Sequence, residues 1–333
     1  MNKKKIINDP VYGFINIFDE IIYDLLEHPY FQRLRRIKQL GLTHYVYPGA
    51  MHTRFQHSLG SLHLMQSSID IIRSKGHPIT EEEALAVKIA ILLHDLGHGP
   101  LSHTLEEAWM KDLTHEALSL KMMEQLNQEF KGKLNLAIRI FRNQYHKKFL
   151  HHLVSSQLDM DRLDYLRRDS FYTGVSEGVI GSDRIIKMLN VHDDQLVIEA
   201  KGIHSIEKFL IARWIMYWQV YFHKTVISAE QMICNILKRA KDLAAKGMDI
   251  PCTPALKYFL YEQYKNDNEK ELLQRFSELD DTDIASSIKG WAHSDDRVLS
   301  ILSANLFHRT LFPIDLQARP SQQPPLHAKQ SPP

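Results

Sequence analysis

Apolar residues recur at three- and four-residue spacing along most of the chain, the pattern of helices that bury one face. Over 17–39, Phe18, Ile21, Ile22, Leu25 and Leu26 share a face. After a pause at His28-Pro29 the spacing resumes through Phe31, Leu34 and Ile37, and Gly41 stops it. A second helix is expected over 57–72, carrying Leu59, Leu62, Leu64, Met65, Ile69 and Ile72, with Gly76-His77-Pro78 beyond its end. Thr80 then stands three residues before Glu83, the spacing of a capping box ahead of the apolar run to Leu93. Gly97, Gly99 and Pro100 close that third helix. Further helices fit 115–130, 134–141, 149–168, 182–189, 205–246 and 255–263, and strands are expected only at 195–201 and near 5–7. The fold class read from this is all-α with small β additions.

Composition adds mainly exclusions. At 333 residues the chain can bury a large core, and its net charge of +1 argues for neither nucleic acid nor a membrane surface as partner. No apolar run approaches membrane-span length, and no signal-peptide run follows the basic start at Lys3, Lys4 and Lys5. The two cysteines, Cys234 and Cys252, form no zinc pattern and read as free thiols of a cytoplasmic protein. The segment 317–333 is rich in Pro, Gln, Ser and His and is expected to be a disordered tail. The expected division is an N-terminal segment over 1–45, a catalytic core over 46–230, a C-terminal helical region over 231–316 and that tail.

Nineteen histidines are an enrichment, and many fall between His44 and His152. Histidine is the commonest metal ligand and carries protons near neutral pH. The third helix runs its apolar face directly into His94-Asp95. Polar groups at the end of a buried helix need partners, and helix-terminal backbone bonding would satisfy this pair as well as a cation would. Upstream stands Arg54-Phe55-Gln56-His57-Ser58, and downstream Asp159-Met160-Asp161-Arg162-Leu163-Asp164-Tyr165. Two imidazole nitrogens and two carboxylates from three helices could close around one divalent ion, a mixed nitrogen and oxygen set that does not distinguish Fe, Mn, Zn, Co, Ni or Mg.

The ordered series of motifs resembles the HD-domain phosphohydrolases, and within them the deoxynucleoside triphosphate (dNTP) triphosphohydrolases. It comprises Asn8-Asp9-Pro10, Phe31 to Arg35, Ile37 to Gly41, Tyr47 to Ala50, Arg54 to Gly60, His94 to Pro100, Thr114-His115-Glu116 and Asp161 to Asp169. The resemblance implies an HD-domain helical bundle with His57, His94, Asp95 and Asp161 as ligands of one metal. It implies attack of water on the α-phosphorus of a dNTP, releasing deoxynucleoside and triphosphate. His98 and His115 match histidines beside the scissile phosphate, and Glu106, where animal members have Asp, would orient one of them. His103, Arg54, Arg162 and Arg213 match phosphate contacts. Gln39, Leu40, Tyr165, Asp169 and Tyr221 match the sugar site, with Asp169 and Gln39 on the 3′-hydroxyl. Lys5, Gln32 and Arg35 match positions that bind an activating nucleotide, Glu27 stands where animal members have an Asp that reads guanine, and a homodimer or homotetramer follows from the same likeness. The scaffold also hosts phosphomonoesterases, phosphodiesterases and non-catalytic nucleotide binders, so the fold alone does not select a substrate.

Overall fold

A computed structural model describes residues 4–101, 114–262 and 269–314. Strands β1 (Lys5–Asp9) and β2 (Gly13–Ile17) form an antiparallel hairpin, with Lys5 opposite Ile17. Asp9 holds the turn by accepting from the backbone N–H groups of Val11 and Tyr12 at 2.9 and 3.0 Å. The periodic segment expected over 17–39 is not one helix. Helix α1 spans Glu20–Glu27, α2 spans Pro29–Gln32, and a 3-10 turn follows at Arg33–Arg36. Pro29 keeps His28 extended and ends α1, and the His28 ring accepts from the Tyr30 N–H at 3.2 Å to start α2.

Helix α3 (Arg54–Ser74) is the centre of the fold and packs most heavily on two helices, α4 (Glu81–Leu93) and, further along the chain, α8 (Met160–Thr173). The capping box read from Thr80 and Glu83 is present, with reciprocal bonds of 2.8 and 3.1 Å. Between α4 and α8 come α5 (His115–Glu129), α6 (Asn135–Phe141) and α7 (Lys148–Val154). The single helix expected over 149–168 is thus two. Asp159 accepts from the N–H groups of Ser156 and Arg162, both at 2.7 Å, and starts α8 afresh.

Helix α9 (Ser182–Met188) leads into a second hairpin, β3 (Leu189–His192) with β4 (Gln195–Ile198). The long helix expected over 205–246 is also broken. Helix α10 (Ile203–Met216) passes into one π-helical turn at Tyr217–Tyr221, and α11 (Lys224–Ala245) begins after His223 caps the Thr225 N–H at 3.2 Å. Helices α12 (Pro254–Leu260), α13 (Glu269–Glu278), α14 (Asp281–Trp291) and α15 (Arg297–Phe307) complete the described residues. One hydrophobic core runs from Ile15 to Leu306. Arg33, fully buried, ties its ends together by donating to the carbonyls of Leu279, Leu96 and His98 at 3.0, 3.0 and 2.7 Å. Among the described residues no helix is long and apolar enough to cross a membrane. Cys234 is buried and Cys252 half-buried, and no disulfide joins them.

Candidate metal centre and its cavity

Thr53, extended, starts α3, and Gln56 Oε1 accepts its N–H at 2.9 Å. This puts Arg54 and His57 on the first turn. His94 is the residue at which α4 ends, Asp95 follows it, and Asp161 sits in the first turn of α8. Because α3 packs against both other helices, three separate chain segments converge.

His57, His94 and Asp161 present ligand atoms within 4.8 Å of one another. Nε2 of His57 and Nε2 of His94 lie 3.1 and 3.6 Å from Asp161 Oδ1. Asp95 stands beside them, with Oδ1 3.2 Å from His94 Nε2 and Oδ2 3.7 Å from His57 Nε2. The histidines are oriented from behind. His57 Nδ1 donates to Asp164 Oδ2 at 2.7 Å, and His94 Nδ1 to the Ile91 carbonyl at 2.6 Å. Each Nε2 is therefore the ring nitrogen left for a cation; it is buried and has no well-formed hydrogen bond. Two such nitrogens beside carboxylate oxygen fit a divalent cation, which takes neutral imidazole nitrogen and anionic oxygen as ligands.

The electrostatics point the same way. Burial lowers the His57 imidazole, but Asp161 and Asp164 outweigh it and hold the pKa up at about 10. Burial raises Asp95, yet His94 and then Arg54 keep it well below the usual carboxylate range, and Asp161 is likewise lowered by His57 and His94. The carboxylates thus demand positive charge at this spot, which protons supply when no cation does. Asp164 is fixed in turn by Arg168, whose Nε and Nη2 donate to it at 3.0 and 3.1 Å and whose Nη1 donates to Asp9 at 2.8 Å. The sequence reading did not single out Asp164, Arg168 or Asp9. Their signal was the i, i+3 step from Asp161 to Asp164 and the i, i+4 step from Asp164 to Arg168 on one helix.

Two glycines permit the convergence. A Cβ at Gly60 would fall 1.8 Å from Asp164 Oδ1, and one at Gly97 would fall 2.0 Å from the His115 carbonyl.

The centre opens on a cavity of about 830 Å³. Of the residues read as substrate contacts, Gln39, Leu40, Arg54, Arg162, Tyr165, Asp169 and Tyr221 line it. Arg213 does not. It sits one turn before Tyr217 on α10 and donates to Gln157 at 3.4 Å. His98 and His115 line the cavity as stacked rings, with centroids 4.1 Å apart. Burial, then Arg54, pushes His98 down to about 3, so it is a neutral imidazole, and its Nε2 lies 3.3 Å from Asp95. Arg54 Nη1 donates to Asp95 at 2.5 Å. Asp159, not anticipated, also lines the cavity, and burial beside Asp161 raises it to about 7. His103 and Glu106 lie outside the described residues.

The four residues matched to an activator site fall elsewhere. Lys5 pairs with Glu27, and Arg35 donates to Gln32 at 2.8 Å. Glu27 and Gln32 line a second cavity of about 810 Å³ with Arg36 and Lys270.

Comparison with known proteins places this geometry. A family model described as the HD domain matches residues 54–169, and one described as the HD associated region matches 180–250. The chain is 36% identical over 320 residues to the Bacillus subtilis protein YwfO, covering 94% of this chain and 72% of that one. It is 35% identical over 256 residues to a Dictyostelium discoideum homolog of the deoxynucleoside triphosphate triphosphohydrolase SAMHD1, covering 71% of this chain. There it spans about half of the relative's length, 49%. A crystal structure of a phosphohydrolase from Bacteroides thetaiotaomicron superposes with a TM-score of 0.92 at 55% identity, covering 96% of this chain and 80% of that one.

Proposed function

Because the chain belongs to the HD-domain phosphohydrolase family, we propose that it hydrolyses dNTPs to deoxynucleoside and triphosphate in a metal-dependent reaction. The observation that carries this is a single cavity lined by a histidine–aspartate cluster, two arginines and a set of sugar-sized polar contacts. The Dictyostelium relative's name supports the choice of substrate.

A divalent metal held by His57, His94, Asp95 and Asp161 would supply Lewis-acid polarisation of phosphate oxygen. The chain's own residues do the rest. Arg54 and Arg162 line the cavity as fixed positive charges for the triphosphate, and their planar forks suit phosphate oxygens. Water attacks the α-phosphorus, the bond from that phosphorus to O5′ breaks, and O5′ takes a proton. His115 is the group placed to move that proton, and His98, held neutral and stacked on it, positions its ring. Glu106 would orient this pair and His103 would add a phosphate contact. At the other end of the substrate, Asp169 and Gln39 bond the 3′-hydroxyl, Tyr165 packs on the sugar, and Leu40 and Tyr221 close the space of a 2′-hydroxyl.

Regulation and assembly belong to the same reading. The pairing of Lys5 with Glu27 and of Arg35 with Gln32, beside the second cavity, supports binding of an activating nucleotide there. A homo-oligomer is supported by the outer face of α10 and the π-helical turn after it, where Ile203, Leu210, Ile211, Trp214 and Trp218 stand 54–63% exposed. A contiguous apolar stripe of this kind marks a surface for contact with another protein. A second copy packed about a two-fold axis would cover the stripe with itself.

Incubating metal-loaded protein with each dNTP singly and then mixed, with chromatography of the products, tests the reading. Triphosphate and deoxynucleoside are expected, and turnover only in mixtures would reveal the activator. Orthophosphate from a monoester, with no dNTP consumed, would point to the phosphomonoesterase alternative.

A further inference from the structure

His52 has no part in the metal centre, yet it is only 1% exposed and is held on every side. Its Nε2 donates to Asp169 Oδ1 at 2.7 Å. Its ring stacks on Tyr172 with centroids 4.5 Å apart and planes 20° from parallel. Tyr172 is itself fixed, because its hydroxyl accepts from Gln56 Nε2 at 2.9 Å, and the other end of that amide caps α3. The His52 carbonyl accepts the Gln39 N–H at 3.0 Å, next to the isolated antiparallel bridge between Lys38 and Thr53. One residue therefore grips Asp169 through its ring and Gln39 through its backbone, and both line the cavity.

We propose that His52 is the positioning residue for recognition of the sugar 3′-hydroxyl. This rests on the reading of Asp169 and Gln39 as sugar contacts. Asp169 accepts from His52 on Oδ1 and from the Tyr221 hydroxyl on Oδ2, at 2.7 Å each. Each oxygen keeps one further lone pair with which to accept. Held this way, it accepts a ligand hydroxyl and leaves an unmet buried acceptor when that hydroxyl is missing, which is the strong mode of discrimination. A purely space-filling role does not account for the imidazole. His52 Nδ1 is buried without a hydrogen bond, a cost that phenylalanine in the same stack would not carry. Only the Nε2–H bond to Asp169 offsets it.

The test is the ratio of kcat/KM for a dNTP to that for the matching 2′,3′-dideoxynucleotide, measured in the parent, His52→Phe, His52→Gln and Asp169→Asn. Circular dichroism confirms folding. The parent is expected to prefer the dNTP. His52→Phe should lower that preference about tenfold or more, as loss of a hydrogen bond to a charged group does. His52→Gln, whose amide reaches the position of Nε2–H, should keep the preference within about threefold. If His52→Phe does not fold, His52→Asn, whose amide stops short of Asp169, carries the same expectation. A folded His52→Phe or His52→Asn with the parental ratio overturns the proposal. So does a parent that consumes dNTPs and dideoxynucleotides equally, which leaves the triphosphohydrolase reading standing. A parent that releases no triphosphate from dNTPs, singly or mixed, overturns that reading and this inference with it.

Discussion

Gly60→Ala adds one methyl group to the middle of α3, and the account fixes the sign of its effect. In an ordinary helix interior this change stabilises by about 1 kcal/mol. Here the new Cβ would sit 1.8 Å from Asp164 Oδ1, 2.3 Å from Arg168 Nη2 and 2.7 Å from Asp164 Cγ. More than an ångström must be made up, and both neighbours are fully buried. Disrupting a buried ion pair costs about 3–5 kcal/mol, so the net is a loss of about 2–4 kcal/mol. For a chain of this length that lowers Tm by about 3–6 °C. The effect should also reach the metal centre, because Asp164 sets the orientation of His57 through a 2.7 Å bond. Loss of such an orienting partner weakens metal binding about tenfold to a hundredfold. Scanning calorimetry of chelator-treated protein measures the first effect, and titration with Mn(II) measures the second. A Gly60→Ala protein that melts at or above the parental temperature, with parental metal affinity, would refute the role given to the Asp164–Arg168 pair.

Arg33→Ala removes three donors from buried carbonyls of Leu279, Leu96 and His98. It should cost about 3 kcal/mol or more by urea unfolding, and a cost under about 1 kcal/mol would contradict the tie between the chain's two ends. Trp214→Glu together with Trp218→Glu should convert an oligomer to monomer in sedimentation velocity, whereas an unchanged oligomer would place the interface elsewhere. Burial raises the Glu83 carboxyl, but Lys147, the Thr80 N–H and Tyr145 outweigh it and hold the pKa below its ordinary value. The unfolded chain therefore takes the proton first, so the stabilisation is full above the ordinary glutamate range and is lost as pH falls through the folded value. Urea midpoints of parent and Glu83→Gln should differ most near neutral pH and converge below about pH 4, and a constant gap would contradict this.

The parts of this structure that could be read from sequence are those set by local chemistry. The Thr80–Glu83 box specifies the start of α4, and Gly and Pro after Asp95 specify its end. His57, His94 and Asp161 each sit in a recognisable run of residues, and the structure brings their ligand atoms within 4.8 Å of one another. What was missed depends on tertiary contacts. Asp159 breaks the segment 149–168 only because its carboxylate turns back onto Ser156 and Arg162. The π-helical turn at Tyr217–Tyr221 brings Tyr221 onto Asp169, a bond across 52 residues that no local period announces. Helices α14 and α15 carry good caps, Asp280 and Asp296, but short amphipathic segments in a polar stretch gave a weak signal. Arg33 and Arg213 show the limit for charged residues. The likeness of motifs made Arg213 a phosphate contact and gave Arg33 no role, while Arg33 is buried on carbonyls and Arg213 lies off the cavity wall.

The central claim is a reaction at the α-phosphorus, and ³¹P NMR of the products formed in ¹⁸O-labelled water tests it most directly. Attack at that phosphorus gives triphosphate carrying one ¹⁸O on a terminal phosphorus, unlabelled deoxynucleoside, and loss of both products on chelation or in Asp161→Ala. Orthophosphate as the product, label in the nucleoside, or undiminished turnover by Asp161→Ala would contradict it.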